Sequence, residues 1–104
     1  MRWYVRRGYE VVARNWRCSV GEIDLILRCP GAGGATMIVF CEVKARASAK
    51  FGGPPGAVNW AKQRQLRRLA AIWLSTERPG GMVEVRFDVA CVTGAQVEVI
   101  ESAF

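Results

Sequence analysis

Histidine is absent from the whole chain of 104 residues. This absence excludes Ser-His-Asp and Cys-His catalysis, because both depend on an imidazole as the general base. Any chemistry must therefore come from carboxylates, lysines, hydroxyls, thiols or a bound metal ion.

Cysteine is scarce, and no two of the four residues share a CxxC spacing: they are Cys18, Cys29, Cys41 and Cys91. A structural zinc site would need all four to converge, so we do not expect one. Three of them fall in segments that we predict to be strands. A reduced cysteine in a strand packs as a small hydrophobic residue.

Long apolar runs are missing as well. No stretch of the sequence is long and apolar enough to span a bilayer. Residues 1–7 are charged throughout and lack the apolar centre of a signal peptide. We therefore expect a cytoplasmic protein.

What the chain does have is apolar and basic. Hydrophobic residues make up 51% of it, which is enough for one packed core. The length allows a single domain, residues 1–104. A net charge of +6 favours polyanionic partners, nucleic acid first and anionic membrane second. A basic protein that is merely soluble is the alternative.

The hydrophobic pattern predicts the order helix, three strands, helix, two strands. The expected elements are a short helix at 2–7, strands at 9–16, 22–29 and 36–44, a helix at 58–77, and strands at 83–93 and 96–101. Leu66, Leu69, Ala70 and Trp73 recur at helical spacing and form one apolar stripe. This order indicates an α/β domain in which helices flank a central mixed β-sheet.

Strand alternation brings charged residues together. Glu22 and Asp24 share one face of the second strand, and Glu42 and Lys44 share one face of the third. A hairpin that closes symmetrically about Ala32 places Glu22 opposite Glu42 and Asp24 opposite Phe40. Asp24 and Glu42 are then diagonal neighbours within side-chain reach.

Three carboxylates and one lysine on one patch of sheet favour a hard divalent cation, because the like charges repel each other. Mg²⁺ binds a few carboxylates and keeps several waters. Such an ion polarises a phosphoryl oxygen and activates water, and a lysine beside it stabilises developing charge. A cross-strand ion pair on a solvated face is the alternative interpretation.

An ordered set of motifs resembles one family. The motifs are Arg7-Gly8-Tyr9, Arg14-Asn15-Trp16-Arg17, Gly21-Glu22-Ile23-Asp24-Leu25-Ile26, Phe40-Cys41-Glu42-Val43-Lys44-Ala45-Arg46, Phe51-Gly52 and Arg86-Phe87-Asp88-Val89. Together they resemble the YraN-like family of uncharacterised, endonuclease-like bacterial proteins. That family is similar to archaeal Holliday-junction resolvases and to the PD-(D/E)XK nuclease superfamily. The resemblance implies a restriction-endonuclease-like α/β/α fold and hydrolysis of DNA, branched DNA in repair or recombination included.

The resemblance also assigns roles. Asp24, Glu42 and the Val43 carbonyl would be ligands of Mg²⁺ or Mn²⁺, Lys44 would be the catalytic lysine, and Glu22 would lie in the outer shell. Resolvases act as symmetric dimers, which implies a homodimer here. They also use a glutamate from a longer first helix, whereas no acidic residue precedes Glu10 in this sequence. We therefore expect that the first helix is truncated or that this member lacks one active-site carboxylate.

Basic and aromatic residues complete the sequence interpretation. Lys62, Arg64, Arg67 and Arg68 on the main helix, together with Arg46 and Lys50, are candidates for contacting nucleic acid. A solvated helix face is the alternative for the helical residues. Trp73 should lie in the core, and Trp16 and Trp60 are more often packing residues than stacking platforms. Two functions stay open: a magnesium-dependent endonuclease, and a catalytically silent module that binds nucleic acid or protein.

Overall fold

The computed structural model describes residues 1–45 and 58–104. Within them the elements are α1 (Arg2–Arg6), β1 (Glu10–Cys18), β2 (Gly21–Pro30), a 3-10 turn (Ala32–Gly34), β3 (Thr36–Ala45), α2 (Trp60–Glu77), β4 (Val83–Thr93) and β5 (Gln96–Ile100). The types and order match the prediction, and the ends differ by two residues at most. α2 begins later than predicted because the side chain of Asn59 caps it, accepting from the Lys62 amide at 2.8 Å.

The five strands form one mixed sheet in the order β1-β2-β3-β4-β5. Neighbours are antiparallel except β3 and β4, which are parallel. A parallel pair needs a crossover connection, and α2 lies in the segment that joins these two strands. β3 therefore holds the centre of the sheet, as its apolar run predicts. The α/β class and the mixed sheet are confirmed.

Each face of the sheet is covered by one helix. On one face Ile38 and Phe40 pack against the stripe of α2, whose four members are all buried, as predicted. On the other face Val39 and Cys41 pack with Tyr4 of α1. None of the helices within residues 1–45 and 58–104 is long and apolar enough to cross a membrane.

The turn between β2 and β3 corrects the predicted register. The structure pairs Ile26 with Phe40 and Leu25 with Cys41, so the hairpin closes about Gly33 and not Ala32. Gly33 adopts the left-handed conformation (φ 58°), which glycine allows at no steric cost, and this places the centre of the turn one residue later. The prediction that Phe40 lies opposite Asp24 is therefore wrong. One step further along the observed register puts Asp24 directly across from Glu42.

Strict alternation also fails in β1 and β2: the register shifts between Val11 and Ala13, and a second irregularity follows at Asn15 and Asp24. Ile23 and Ile26 both face α2 although they are three residues apart, and Ala13 and Trp16 of β1 do the same. Between them Asn15 adopts φ 50°, a conformation that asparagine tolerates better than most residues. Both strands thus switch faces at Asn15 and Asp24. The prediction that Glu22 and Asp24 share one face assumed strict alternation, which this switch interrupts.

Asp88 of β4 is the one charged residue among the described residues that is fully buried. Its carboxylate accepts from the Tyr4 hydroxyl at 2.8 Å, from two nitrogens of Arg86 at 2.9 and 2.8 Å, and from the Ser102 amide at 3.1 Å. Burial, with Cys41 and Asp88 close by, raises the pKa of the Tyr4 hydroxyl, which stays a donor. Arg86 and Asp88 thus form an ion pair, and the Tyr4 hydroxyl bond to Asp88 joins α1 to the sheet.

Candidate metal centre and nucleic-acid interface

Asp24 and Glu42 meet where the ladder between β2 and β3 ends. The last regular pair is Leu25 with Cys41. Beyond it the amide of Val43 donates to Oδ2 of Asp24 at 2.8 Å. The Asp24 side chain thereby satisfies an amide of β3, and one such bond leaves other lone pairs of the carboxylate available.

Glu42 faces α2, one alternation step beyond Phe40, and its side chain is only 15% exposed. Its Oε2 lies 3.3 Å from Nζ of Lys62 on the first turn of α2. Burial, and then the adjacent Asp24 carboxyl, raise the pKa of Glu42, while Lys62 acts in the opposite direction. One lysine therefore compensates only part of the cost of holding two carboxylates together.

Lys44 lies two residues after Glu42 on β3, so the two side chains leave the strand on the same face. It is half-buried. This places a second cation on the side of the sheet that carries Glu42 and Lys62. The backbone of Val43 stands between them and is held by Asp24.

Glu22 does not join this pair. Its Oε2 lies 2.7 Å from Nε of Arg17, its partner across β1 and β2. Within residues 1–45 and 58–104 no group of three or more acidic, cysteine or histidine side chains is positioned to hold a metal ion. The predicted convergence of three carboxylates is therefore corrected to two, because the switch of faces in β2 and the pairing with Arg17 separate Glu22 from the others.

The predicted basic residues differ in what they contact. Lys62 pairs with Glu42, and the Arg67 guanidinium lies over the rings of Phe87 and Phe104 at 4.9 and 5.4 Å from their centroids. Arg64 and Arg68 are exposed and line a hollow of about 430 Å³ between α2 and the β1–β2 turn. Arg46 and Lys50 lie outside the described residues.

Sequence reasoning missed a second hollow, on the other side of Asp24. It measures about 420 Å³ and is lined by Met1, Arg14, Asn15, Asp24, Leu25 and Val43. Asn15, which lines this hollow, was the one available signal in the sequence. Asparagine is enriched at left-handed backbone positions, so it can indicate a break in the regular strand. Asp24 thus borders open space on one side and Glu42 on the other.

Trp60 also departs from expectation. Its residue surface is 72% exposed, whereas we predicted packing. It is the first residue of α2 and points away from the buried stripe. Trp16 and Trp73 do pack against the core, as predicted.

Comparison with known proteins gives a consistent match. A family model described as "Uncharacterised protein family UPF0102" matches residues 1–92. A UPF0102 protein of Nocardia farcinica is 47% identical over 85 residues, covering 82% of this chain and 62% of that protein, less than two thirds of its length. One from Beutenbergia cavernae is 50% identical over 91 residues, covering 88% and 72% respectively. One from Ralstonia nicotianae is 40% identical over 107 residues, covering 100% and 78%.

Proposed function

The chain belongs to the uncharacterised family UPF0102, and from the geometry at Asp24 and Glu42 we propose that it is a magnesium-dependent endonuclease acting on DNA. The observation that carries the proposal is the juxtaposition of these two carboxyls at the ends of two adjacent strands, where burial and then the Asp24 carboxyl raise the pKa of Glu42. A carboxyl whose pKa is raised by burial and by a neighbouring carboxyl is typical of functional sites. The resemblance to the PD-(D/E)XK nucleases and to resolvases supports the same chemistry and extends it to branched DNA.

The donor atoms suit a hard cation. The carboxylates of Asp24 and Glu42 and the carbonyl of Val43 would hold Mg²⁺ or Mn²⁺, and all three groups offer oxygen. Magnesium is commonly bound by one or two carboxylates with several waters retained, so two carboxylates suffice. When bound, the ion would polarise a phosphodiester and lower the pKa of a coordinated water.

The protein's own side chains supply the remaining parts. Lys44, on the same strand face as Glu42, would stabilise the negative charge that develops on the phosphate. Lys62 holds the Glu42 carboxylate at 3.3 Å and so fixes its position before any ion arrives. Asp24 is fixed in the same way by the Val43 amide. The two ligands are therefore oriented by the fold, which lowers the entropic cost of binding.

Charge supports a nucleic-acid partner. The chain carries +6, and the exposed Arg64 and Arg68 lie on the helix that also supplies Lys62. Contacts to phosphates release counterions, so we expect binding that weakens steeply with salt. A homodimer, the state in which resolvases act, belongs to the same proposal.

A catalytically silent binding module on the same fold is the second candidate. The observation that favours it is that each carboxylate already has a partner: Glu42 has Lys62 at 3.3 Å and Asp24 has the Val43 amide at 2.8 Å. An acidic pair satisfied in this way does not need an ion. The two candidates differ in metal binding and cleavage, not in their affinity for nucleic acid.

Calorimetric titration with Mg²⁺ and Mn²⁺ tests the first candidate. We expect binding by the wild type, loss of binding in both Asp24→Ala and Glu42→Ala, and unchanged binding in Glu77→Gln, which removes an acid at the far end of α2. Metal-dependent cleavage of a four-way DNA junction should be lost in the same two variants. Absence of metal binding, combined with salt-sensitive DNA binding, would instead establish the silent module.

A further inference from the structure

The outer face of α2 combines an exposed aromatic ring with exposed cations. Trp60, Arg64 and Arg68 are spaced four residues apart, so they follow one side of the helix, away from the buried Leu66 and Leu69. All three are exposed. Within the part of the chain that the structure describes, the two arginines make no ion pair and the Trp60 ring makes no aromatic contact. We term this surface, formed by Trp60, Arg64 and Arg68, the α2 outer face.

The charge on this helix is unfavourable for the isolated protein. No acidic residue occurs in α2 before its last position, Glu77, while Lys62, Arg64, Arg67 and Arg68 crowd its first half. Cations near the start of a helix oppose its macrodipole, and like charges at i and i+4 repel. A polyanion lying along the helix would remove both costs.

The exposed ring of Trp60 favours one kind of polyanion, a nucleic acid with unpaired bases. An indole face stacks on an unpaired base, and such stacking tolerates any base because every base has a π-face. In a duplex the bases are covered by their neighbours and offer no face to Trp60. The hollow of about 430 Å³ beside Arg64 and Arg68 gives the backbone phosphates a place to lie.

The position of the surface connects it to the candidate metal centre. Lys62, which contacts Glu42 at 3.3 Å, belongs to the same first turn as Trp60. A strand that stacks on Trp60 therefore passes the end of α2 at which Asp24 and Glu42 meet. We propose that the α2 outer face binds a single-stranded segment of the nucleic-acid substrate, with one base stacked on Trp60 and its phosphates on Arg64 and Arg68. This inference rests on the proposed function for its nucleic-acid substrate but not on catalysis.

Fluorescence anisotropy in EDTA tests the inference without any metal-dependent step. The probes are a labelled oligothymidine of about 15 nucleotides, within reach of such surfaces, and a duplex of equal length. Trp60→Ala should weaken binding of the single strand by about tenfold, the effect typical of one stacked base, and change duplex binding by less than about twofold. The double variant Arg64→Gln/Arg68→Gln should weaken both. It should also reduce the salt dependence of single-strand binding. The slope of log affinity against log salt concentration should become less steep by about 0.7 for each phosphate that the variant no longer binds.

Matched controls separate the α2 outer face from general surface properties. Met82→Ala removes another exposed apolar side chain, 76% exposed, and Arg6→Gln removes an exposed cation on α1. Met82→Ala should leave both affinities unchanged. Arg6→Gln should change the affinities for single strand and duplex by the same factor. Circular dichroism of each variant verifies folding.

Failure of this inference and failure of the proposed function give different results. If single strand and duplex bind with equal affinity, and Trp60→Ala does not change either affinity, this inference is overturned. The proposed metal centre would not be affected by that result, because it is tested separately by metal binding to Asp24→Ala. No oligonucleotide binding, with arginine-dependent binding to phosphatidylserine vesicles, would overturn it in favour of a membrane surface.

Discussion

Two acidic centres lie in one sheet and are held in opposite ways. Asp88 is fully buried and accepts hydrogen bonds from a tyrosine hydroxyl, an arginine and a backbone amide. Asp24 and Glu42 lie partly buried against each other, with Lys62 as the partner of Glu42 and the Val43 amide as the partner of Asp24. The first centre has four hydrogen bonds to one carboxylate, whereas the second has one lysine and one amide for two carboxylates.

This difference separates a structural acid from a candidate functional one. A buried carboxylate is tolerated only when its hydrogen bonds are complete, and a completed carboxylate has no capacity left for a ligand. Around Asp24 and Glu42 the opposite holds, since burial and the neighbouring carboxyl raise the pKa of Glu42. Sequence alone does not separate the two centres, because in each of them the acids lie beside a strongly apolar strand segment.

Removing the buried acid should have the largest effect. Asp88→Ala leaves the Arg86 guanidinium, whose pKa Asp88 raises, without its main partner inside the protein. We expect a loss of about 3–5 kcal/mol in the free energy of unfolding, measured by urea denaturation. Tyr4→Phe, which deletes only one of the donors, should cost about 1 kcal/mol. Similar losses in the two variants would contradict the view that Asp88 is the centre of the network.

Neutralising the functional acid should have a much smaller effect. Glu42→Gln loses the pairing with Lys62 but also relieves repulsion with Asp24, so the two changes offset each other. We expect the free energy of unfolding in EDTA to change by less than about 1 kcal/mol. Stabilisation by added Mg²⁺, present in the wild type, should disappear in this variant. A destabilisation as large as that of Asp88→Ala would assign Glu42 to the scaffold.

The smallest effect is expected at Glu22. Its ion pair with Arg17 is largely exposed, with 75% of the arginine side chain accessible. Glu22→Gln should therefore change stability by less than about 0.5 kcal/mol in urea denaturation. It should also leave the calorimetric affinity for Mg²⁺ unaltered. A clear loss of metal affinity would restore Glu22 to the outer shell that the family resemblance assigns to it.

Much of the fold could be predicted, because period and composition determine it locally. The stripe of Leu66, Leu69, Ala70 and Trp73 identified the buried face of α2 correctly. The predicted hairpin pairs each residue of β2 with a residue two positions from its observed partner, and a shift of two residues does not change which face of β3 meets β2. For that reason the prediction that Asp24 and Glu42 are neighbours was correct, although the residues predicted to lie directly opposite each of them were wrong.

The rest depended on backbone conformations that no periodicity reveals. The left-handed Gly33 set the register, and the left-handed Asn15, opposite Asp24, accompanies the switch of faces in β1 and β2. The exposure of Trp60 could not be predicted either, because it depends on where the helix begins relative to the sheet. The roles of Lys44 and of the basic residues stay predictions until metal binding, cleavage and oligonucleotide binding are measured.

The place of β3 in the sheet has a consequence for the order of folding. Its antiparallel side closes through a short turn, an event on the scale of about 1–10 μs, whereas its parallel side waits for the whole crossover that contains α2. We expect Asp24 and Glu42 to come together in the early hairpin, and Lys62 to reach Glu42 only when α2 docks on the sheet. The repulsion between the two acids is therefore not yet offset by Lys62 while the hairpin forms, and we expect it to slow folding.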